Sequence, residues 1–563
     1  MTSSVPPFVI FFAAALLTAL LPGRSRIIVL VLAPLVSGFQ LIDVPEGLRM
    51  TVPVMGYELM PYRVDRLSLL FGYVFHLAAF LGIIFSLHVR DRLQHVAGLF
   101  YAGSAVGAVF AGDLVTFFVF WEIAALSSVV LIWARRTPAS LAAGLRYLVI
   151  QLSSGVLLLA GVLMRVQESG SLAFDYIGLS GVSGWLLFLA FGVKCAFPLL
   201  HNWMTDAYPE ATPTGAVFLS AFTTKAAVYA LARGFPGTDL LIYIGALMTC
   251  FPIFYAVIEN DLRRVLSYSI VNQLGFMVCG VGIGTALAIN GAVSHAFSHV
   301  IYKGLLFMAM GAVLHMTGKI KGTELGGLYK TMPITTGLCI VGACSISAFP
   351  LFSGFVSKSM VMAAALQEGY GGIWLMLLLA SAGVFHHAGI KIPFFAFFAS
   401  DSGIRVREPP WNMLLAMALA AVLCVFIGVY PWLLYSRLPF PVEYAPYTGT
   451  HVIAQLQLLF FAALAFAWLK LSGLYPPETR AVNIDAEWVY RRLAPRLLRR
   501  ATDAAVAWHL RLQLGFLRRL GTVIGTLFLY YGPQGILART WATGSMVLWV
   551  VILLGIYLIA YYY

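Results

Sequence analysis

The chain has 563 residues, 61% hydrophobic and 10% charged, with a mean hydropathy of +0.89. Soluble domains carry roughly 25% charged residues, so this composition excludes a soluble globular protein and indicates a polytopic membrane protein. The net charge of +13 comes mainly from arginines at the ends of apolar segments and in one late basic segment. That pattern is typical of membrane orientation, and no nucleic-acid partner is expected.

Apolar segments long enough to cross a bilayer, about 20 residues each, follow one another along most of the chain. They predict an all-α polytopic membrane protein with about sixteen transmembrane helices. The predicted spans are residues 7–23, 27–43, 67–89, 95–112, 114–133, 142–165, 182–205, 212–233, 239–258, 263–287, 290–316, 333–366, 372–399, 411–435, 450–473 and 541–562.

Lysine and arginine are unevenly distributed between the loops on the two sides of these spans. One side holds Arg135, Arg136, Arg263, Arg264 and further basic residues, and the other side holds fewer. Because basic loops stay in the cytoplasm, both termini are expected outside the inner (cytoplasmic) membrane of a prokaryotic cell. No Lys or Arg precedes the first apolar run, so a retained first helix is expected rather than a cleaved signal peptide.

Two of the predicted spans contain helix breakers. Pro198 interrupts the seventh span, and Pro350 and Gly354 interrupt the twelfth. Proline lacks the N–H that a helix needs, and irregular backbone survives in a membrane only where protein or water covers it. Each broken helix is fourth in a run of five spans. This layout predicts two inverted five-helix repeats, the plan that places transport sites near the midplane.

The segment after residue 473 differs from the rest of the chain. It is rich in arginine, with leucine and tryptophan between the charges, which indicates an amphipathic helix along the membrane surface. A strap across neighbouring subunits or lipid is favoured there over a plain surface linker. The predicted domains are N-terminal helices at 1–94, a first repeat at 95–233, a second repeat at 239–399, additional helices at 400–473, the lateral segment at 474–540 and a last span at 541–563.

Ionisable residues inside the apolar spans are the candidate functional residues, because charge at this depth is costly and marks ion pathways. Glu122 lies in the middle of the fifth span, and Lys194 lies beside Pro198 in the seventh. Opposite charges a few ångströms apart change each other's protonation, so the two are predicted to form a switching pair. The alternatives are a protonated Glu122 in a packing hydrogen bond and a lysine that snorkels to the interface.

The series of ionisable residues continues into the later spans. Lys225 lies deep in the eighth span, and His295, His299 and Lys303 recur at every fourth position of the eleventh, on one helix face. Histidine titrates near neutral pH and suits a proton relay. No thiol or carboxylate ligand accompanies the histidines, so no metal site is expected. The complete predicted proton pathway is Glu122, Lys194, Lys225, His295, His299, Lys303, Lys358 and Lys391.

Five stretches of the chain resemble one known family: FFVFWEIAALSS (117–128), GVKCAFPLLHNWMTDAYPEATPTGAV (192–217), DLRRVLSYSIVNQLGF (261–276), HAFSHVIYKGLLF (295–307) and FPLFSGFVSK (349–358). They are similar to motifs of the antiporter-like subunits shared by respiratory NADH–quinone oxidoreductase, membrane-bound hydrogenases and Mrp-type cation/proton antiporters. The resemblance covers most of residues 65–400.

The resemblance implies roles for the matching residues. Glu122 and Lys194 look like the family's glutamate–lysine pair, and Lys225 looks like the central lysine of the following helix. The α-helical row from His295 to Lys303 and the lysine after the second break match the family's relay. The lateral segment with a last span is similar to the longest such subunit of the respiratory enzyme. The stretch 386–398 is instead closer to the D-type component of cation antiporters, so the parent complex stays open.

These features predict a proton-translocating membrane subunit of a hetero-oligomeric complex. No flavin, iron–sulfur or quinone motif is visible, so no cofactor and no self-contained catalytic site are expected, whether or not the parent complex is a redox-driven translocase. Two alternatives stay open. One is a sodium or potassium/proton antiporter component, and the other is an energy-coupling membrane subunit for a soluble partner such as an inorganic-carbon uptake protein. Buried lysines rather than carboxylates favour protons over sodium.

Overall fold

The computed structural model describes residues 5–475, 483 and 485–563, and the chain divides into a first unit that ends at Asn483 and a second that extends to Tyr563. Thirteen helices of the described residues are long and apolar enough to cross a membrane. This confirms the all-α polytopic class, while the total of sixteen spans stays a prediction. Residues 476–482 and 484 of the predicted lateral segment lie outside the described residues.

The first ten helices and a hairpin form the N-terminal half of the first unit. The helices are α1 (Pro7–Leu20), α2 (Gly23–Gln40), α3 (Arg66–Ser86), α4 (Arg92–Phe110), α5 (Leu114–Trp133), α6 (Pro138–Ser169), α7 (Gly181–Lys194), α8 (Asn202–Ala207), α9 (Gly215–Ala221) and α10 (Thr223–Gly234). The hairpin pairs β1 (Arg49–Val54) with β2 (Tyr57–Arg63) in antiparallel register. The sequence does not predict it, because its Met55-Gly56 turn is a weak signal; both turn residues have positive φ, as two-residue hairpin turns require.

Ten further helices complete the first unit. They are α11 (Asp239–Ile258), α12 (Leu262–Ile283), α13 (Ala286–Thr317), α14 (Pro333–Ile346), α15 (Ser353–Gln367), α16 (Gly371–Val384), α17 (Lys391–Pro393), α18 (Trp411–Val429), α19 (Trp432–Tyr435) and α20 (Gly449–Leu471). The α9–α10 span is completely buried, and it is followed by α12 and α13, whose apolar windows are 94% and 89% buried. The core of the unit therefore lies around these helices, and α13 carries the predicted histidine row.

The two predicted repeats have the same local architecture. Asp113 caps α5 and Asp261 caps α12 through side-chain bonds to backbone N–H groups, and each cap residue also bridges to the segment after the next helix. That next helix, α6 or α13, has 32 residues in both repeats and ends at a glycine with left-handed backbone, Gly170 or Gly318. The two halves are thus built on one backbone frame.

The two proline breaks are also alike. Both carry the sequence Ala-Phe-Pro-Leu, at 196–199 and at 348–351, and both follow a helix of 14 residues. The alanine and the leucine of each motif have positive φ, between 57° and 73°. Such backbone is strained for residues with a side chain, so each break is a defined structure rather than a frayed helix end.

Gly354 has a separate role from the prolines at the second break. A Cβ atom at this position would lie 1.9 Å from the carbonyl oxygen of Ser345. Only glycine therefore lets the start of α15 approach the end of α14 so closely.

Two of the predicted spans are long and apolar enough to cross a membrane, but they are not regular α-helices throughout. The span at 212–233 is interrupted at Phe222, between α9 and α10. The span at 372–399 contains π-helical turns at Phe385–Ile390 and Phe394–Phe398 around α17. In the first case the Thr223 N–H bonds the Tyr101 hydroxyl at 3.1 Å instead of a helix carbonyl, a tertiary contact that a hydropathy pattern cannot reveal.

The second unit consists chiefly of two helices, α21 (Ala494–Tyr531) and α22 (Thr543–Tyr562). The first has 38 residues, has proline in its first turn and exposes its side chains along its whole length within this unit. Its arginines alternate with leucines and aromatic residues. The predicted amphipathic helix is therefore present, and its placement along the membrane surface stays a prediction.

Candidate functional site

Every predicted lysine inside the spans is buried, and its ammonium contacts backbone carbonyls where any bond is made. Lys194, at the end of α7, donates to the carbonyl of Trp121 at 2.7 Å and lies 4.1 Å from the centre of the Trp121 indole. The sequence predicts a carboxylate partner for this lysine. The structure instead places the ammonium on the residue next to Glu122, close enough for the two charges to interact.

Glu122 itself packs against a glycine of the neighbouring helix. Its Oε1 atom is buried, and among the described residues no hydrogen-bond partner reaches it. A Cβ atom on Gly155 of α6 would lie 1.7 Å from this oxygen. Gly155 therefore provides the room that the carboxyl group occupies. A buried carboxyl oxygen without a partner is costly, which favours a functional role for Glu122 over a packing hydrogen bond.

Lys225 lies just after the unpredicted interruption of the α9–α10 span. Its Nζ donates to the carbonyl of Ser220 at 2.5 Å, a carbonyl that the break at Phe222 removes from regular helix bonding. Tyr101 holds the other side of the break, since its hydroxyl accepts from the Thr223 N–H and lies 2.6 Å from the Thr223 hydroxyl. The lysine is fully buried, so snorkelling to the interface is excluded in this conformation.

Of the three residues in the row on α13, one has hydrogen-bond partners for its side chain and two have none among the described residues. The ring nitrogens of His295 lie 3.2 Å from the Ser357 hydroxyl and 3.1 Å from the Gln273 side-chain oxygen. In contrast, neither ring nitrogen of His299 and no hydrogen of the Lys303 ammonium finds a partner within the described part of the chain. His299 and Lys303 are both fully buried, so their unpartnered nitrogens can bond to a water molecule or exchange a proton.

At the second break, Lys358 contacts the end of the helix that precedes the break, whereas Lys194 contacts a carbonyl of α5. The Lys358 Nζ donates to the carbonyl of Ile346, the last residue of α14, at 3.2 Å, and lies 3.5 Å from the Ser381 hydroxyl. The Phe276 ring is 5.1 Å away. An ammonium at the C-terminal end of a half-helix is stabilised by its free carbonyls and its dipole.

Lys391 has the most extensive set of bonds. Its ammonium donates to the carbonyls of Ala256, Val257 and Glu259 at 3.2, 2.6 and 2.7 Å. These residues end α11, so Lys391 caps that helix from the π-helical segment. The sequence predicts this lysine for the proton pathway only, and the cap is a further, structural role.

The buried groups are near enough to influence one another electrostatically. Lys225 interacts with His299 and Lys303, although it belongs to the first repeat and they belong to the second. Lys303 also interacts with Lys358, and the thiol of Cys195, which follows Lys194 in the chain, interacts with Lys225. These interactions relate Lys225 to His299, Lys303 and Lys358, and a continuous pathway through all the predicted residues stays a prediction.

Sequence reasoning missed two charged groups that contact the segment between the first break and α9. Arg263 is completely buried and its guanidinium donates to carbonyls within residues 208–212, at 3.1 to 3.2 Å. The sequence assigns Arg263 to a loop, but the structure withdraws its side chain from solvent; the membrane orientation itself stays a prediction. Arg146 holds Asp206 of α8 at 2.6 and 3.0 Å. One signal in the sequence could have indicated these contacts. Pro209 and Pro213 impose irregular backbone, and the carbonyls of such backbone need hydrogen-bond donors.

Comparisons with known proteins identify the family to which this chain belongs. A family model described as "NADH:quinone oxidoreductase/Mrp antiporter, TM" matches residues 111–388. The D component of a Na(+)/H(+) antiporter from Alkalihalophilus pseudofirmus is 30% identical over 366 residues, which is 60% of this chain and 74% of that protein. The chain therefore belongs to the family of antiporter-like membrane subunits of NADH:quinone oxidoreductase and Mrp antiporters.

Two further matches extend the comparison. Hydrogenase-4 component B of Escherichia coli is 28% identical over 426 residues, 67% of this chain, and the match spans only 63% of that relative's length. A chain of the membrane-bound sulfane sulfur reductase, an archaeal respiratory membrane complex, matches with a TM-score of 0.73 and 22% identity, over 99% of this chain and 100% of that one. The fold is thus that of a subunit found in multi-subunit membrane complexes.

Proposed function

We propose that this chain translocates protons along the buried series from Glu122 through Lys194, Lys225 and the α13 row to Lys358 and Lys391. We propose further that it works as one membrane subunit of a hetero-oligomeric complex in the cytoplasmic membrane, with both termini outside. The supporting observation is that the buried lysines bond to carbonyls and not to carboxylates. A neutral amine still has hydrogens for a carbonyl, so such a bond survives loss of the proton.

The ion-pair alternative would hold each lysine permanently charged. A carboxylate within a few ångströms favours the ammonium strongly in a low dielectric. The geometry around Lys194 avoids this, because Glu122 influences the ammonium without bonding to it. Small movements of Glu122 toward or away from Lys194 then change how readily the lysine gives up its proton.

The direct test uses Glu122→Gln in vesicles that contain the complete complex. The amide keeps the shape of the side chain and removes the charge, so insertion and assembly are expected to be normal and proton transport is expected to fall strongly. Glu368→Gln is the matched control, since Glu368 is an exposed carboxylate after α15. Full transport by Glu122→Gln would remove the pair from the mechanism.

Sodium or potassium/proton antiport is the second candidate. It is favoured by one observation, the 30% identity to a relative named as a Na(+)/H(+) antiporter component. Vesicles with the complex distinguish the two candidates, because an antiporter acidifies or alkalises the interior in response to an imposed sodium or potassium gradient. A pathway for protons alone gives no response to either cation.

The C-terminal part is proposed to hold the complex together rather than to conduct protons. Six of its arginines lie on an amphipathic helix of 38 residues. This helix is about 57 Å long at 1.5 Å per residue, which is long enough to touch several neighbouring helices. Removal of residues 474–563 is expected to weaken co-purification with partner subunits. If the shortened chain assembles normally and only conduction changes, this proposal is wrong.

A further inference from the structure

The segment that precedes and begins α20 borders the second break. Gln455 donates from Nε2 to the carbonyl of Ser347 at 3.2 Å, directly after the Ile346 carbonyl that Lys358 occupies. The Tyr447 hydroxyl accepts from the Leu351 N–H at 3.2 Å. Helix α20, which lies outside both repeats, therefore contacts the backbone that positions Lys358.

A cavity of about 300 Å³ lies between this segment and the break. Its lining runs from Lys358, which is only 1% exposed, to Thr448, which is exposed. Tyr444, His451 and Gln455 supply further polar atoms to the wall. A buried water needs roughly 10–15 Å³ and two or more polar partners, so the cavity has room for a chain of waters from Lys358 to the surface.

His451 stands at the outer part of this cavity in a defined orientation. Its Nδ1 lies 2.7 Å from the carbonyl of Pro446, and since a carbonyl only accepts, Nδ1 carries the hydrogen. Nε2 is therefore the nitrogen that takes up a proton. The ring stacks on Phe355 with centroids 4.4 Å apart, and Phe355 is on α15, one turn before Lys358.

The position of His451 along α20 sets the depth of the opening. Thr448 caps this helix by accepting from the His451 N–H at 3.3 Å, so His451 lies in the first turn. A helix of 23 residues is about 35 Å long at 1.5 Å per residue, which exceeds the roughly 30 Å hydrocarbon core. The first turn of α20, and with it the mouth of the cavity, therefore lies near the membrane–water boundary.

We infer that His451 is the group that exchanges protons between Lys358 and the aqueous phase, through the cavity at the second break. This inference rests on the proposed proton pathway and assigns it one terminus. An imidazole can both accept and donate a proton through its ring nitrogens, and Lys358 lies behind it across the cavity. A proton that leaves the Lys358 ammonium crosses the cavity, binds Nε2 of His451 and passes from there to solvent.

The test measures proton transport in vesicles with the intact complex for His451→Ala and His451→Phe. Phenylalanine keeps the stacking on Phe355 but carries no proton, so both variants are expected to lose roughly 10²-fold, the usual size of a removed proton-transfer group. Added imidazole is expected to restore transport to His451→Ala, where space is free, and not to His451→Phe. Leu456→Ala, an exposed residue on the same helix, is the control and should transport normally.

The outcomes separate this inference from the proposed function. Normal transport by His451→Phe, or a loss in His451→Ala that imidazole does not restore, would overturn the role of His451 as a proton carrier. Either result would show that the side chain only packs against Phe355 or that lipid fills the cavity. Lys358→Ala is measured alongside and is expected to be inactive with and without imidazole. If Lys358→Ala transports normally, the proposed pathway through Lys358 has failed as well.

Discussion

The two five-helix repeats share a backbone frame and differ in where they carry charge. When α5 and α12 are aligned on their cap aspartates, Ile270 takes the position of Glu122. When α6 and α13 are aligned on their terminal glycines, Lys303 takes the position of Gly155. In the first repeat the carboxyl group fills the space above the glycine. At this position the first repeat therefore carries a carboxyl group, supplied by α5, and the second repeat carries an ammonium group, supplied by α13.

The breaks differ in the same manner. Lys194 is the last residue of α7, and the corresponding last residue of α14 is Ile346. The second repeat places its lysine after the break, where Lys358 reaches back to the Ile346 carbonyl. Lys194 contacts the Trp121 carbonyl of α5, whereas Lys358 contacts a carbonyl at the end of the helix before its own break. This arrangement lets one fold hold a chain of lysines without repeating the same site.

The largest expected effect comes from removing the charge that distinguishes the second repeat. Lys303→Met keeps the length of the side chain and its burial but cannot carry a proton. Proton transport should fall by roughly 10²-fold or more, because Lys303 has no hydrogen-bond partner among the described residues that would give it a structural role. Vesicle proton uptake provides the measurement, with Lys330→Met as control, since Lys330 is paired with Asp401 outside the core. Normal uptake would show that proton transport does not require Lys303 of the second repeat.

A smaller effect is expected from filling the space that distinguishes the first repeat. Gly155→Ala adds one methyl group that must displace the carboxyl of Glu122. Transport should decrease several-fold while the protein still inserts, because the charge remains but its position relative to Lys194 changes. Gly337→Ala in α14 meets open space and serves as the control in the same uptake measurement. Equal transport by the two variants would mean that the position of Glu122 is unimportant.

A variant at Lys391 tests whether this lysine conducts protons or only stabilises the fold. Lys391→Met removes three hydrogen bonds to the end of α11. A charged hydrogen bond contributes about 1.5–3 kcal/mol, so the solubilised protein should unfold at a clearly lower temperature. Lys470→Met is the control, because Lys470 is an exposed lysine that faces aromatic rings nearby. Unchanged thermal stability with lost transport would favour conduction over the capping role.

The smallest effect should be the same in both repeats. Leu199 and Leu351 adopt left-handed backbone and are 77% and 56% exposed, so either can become glycine with little loss of packing. Leu199→Gly and Leu351→Gly should each stabilise the fold by about 1 kcal/mol, the strain that glycine relieves. Thermal unfolding compares them, and a marked difference between the two would contradict a common frame for the breaks.

The fold class and both proline breaks could be predicted because they depend on local signals. Hydropathy marks the spans, and proline removes a helix bond wherever it occurs. The interruption at Phe222 carries no such signal, since Tyr101 of α4 supplies the bond that replaces the helix contact. Long-range contacts of this kind are absent from any hydropathy pattern.

The residues of the site could be predicted, but not their partners. A charge inside an apolar span is visible in the sequence, which is why Lys194 and Lys225 are candidates from the sequence alone. The bond from Lys194 to the Trp121 carbonyl depends on how α5 packs beside the first break. The burial of Arg263 likewise depends on the carbonyls of residues 208–212 turning toward it.

The most direct test of the account compares Lys225→Arg with Lys225→Ala at equal expression. Lys225 belongs to the first repeat, and it lies near enough to His299 and Lys303 of the second repeat to affect them electrostatically. Arginine keeps its charge at any working pH and does not release a proton. If Lys225 carries protons, initial proton uptake by vesicles should be lost about equally in both variants. Near-normal uptake with arginine would show that only the charge matters, and it would contradict a proton pathway through this lysine.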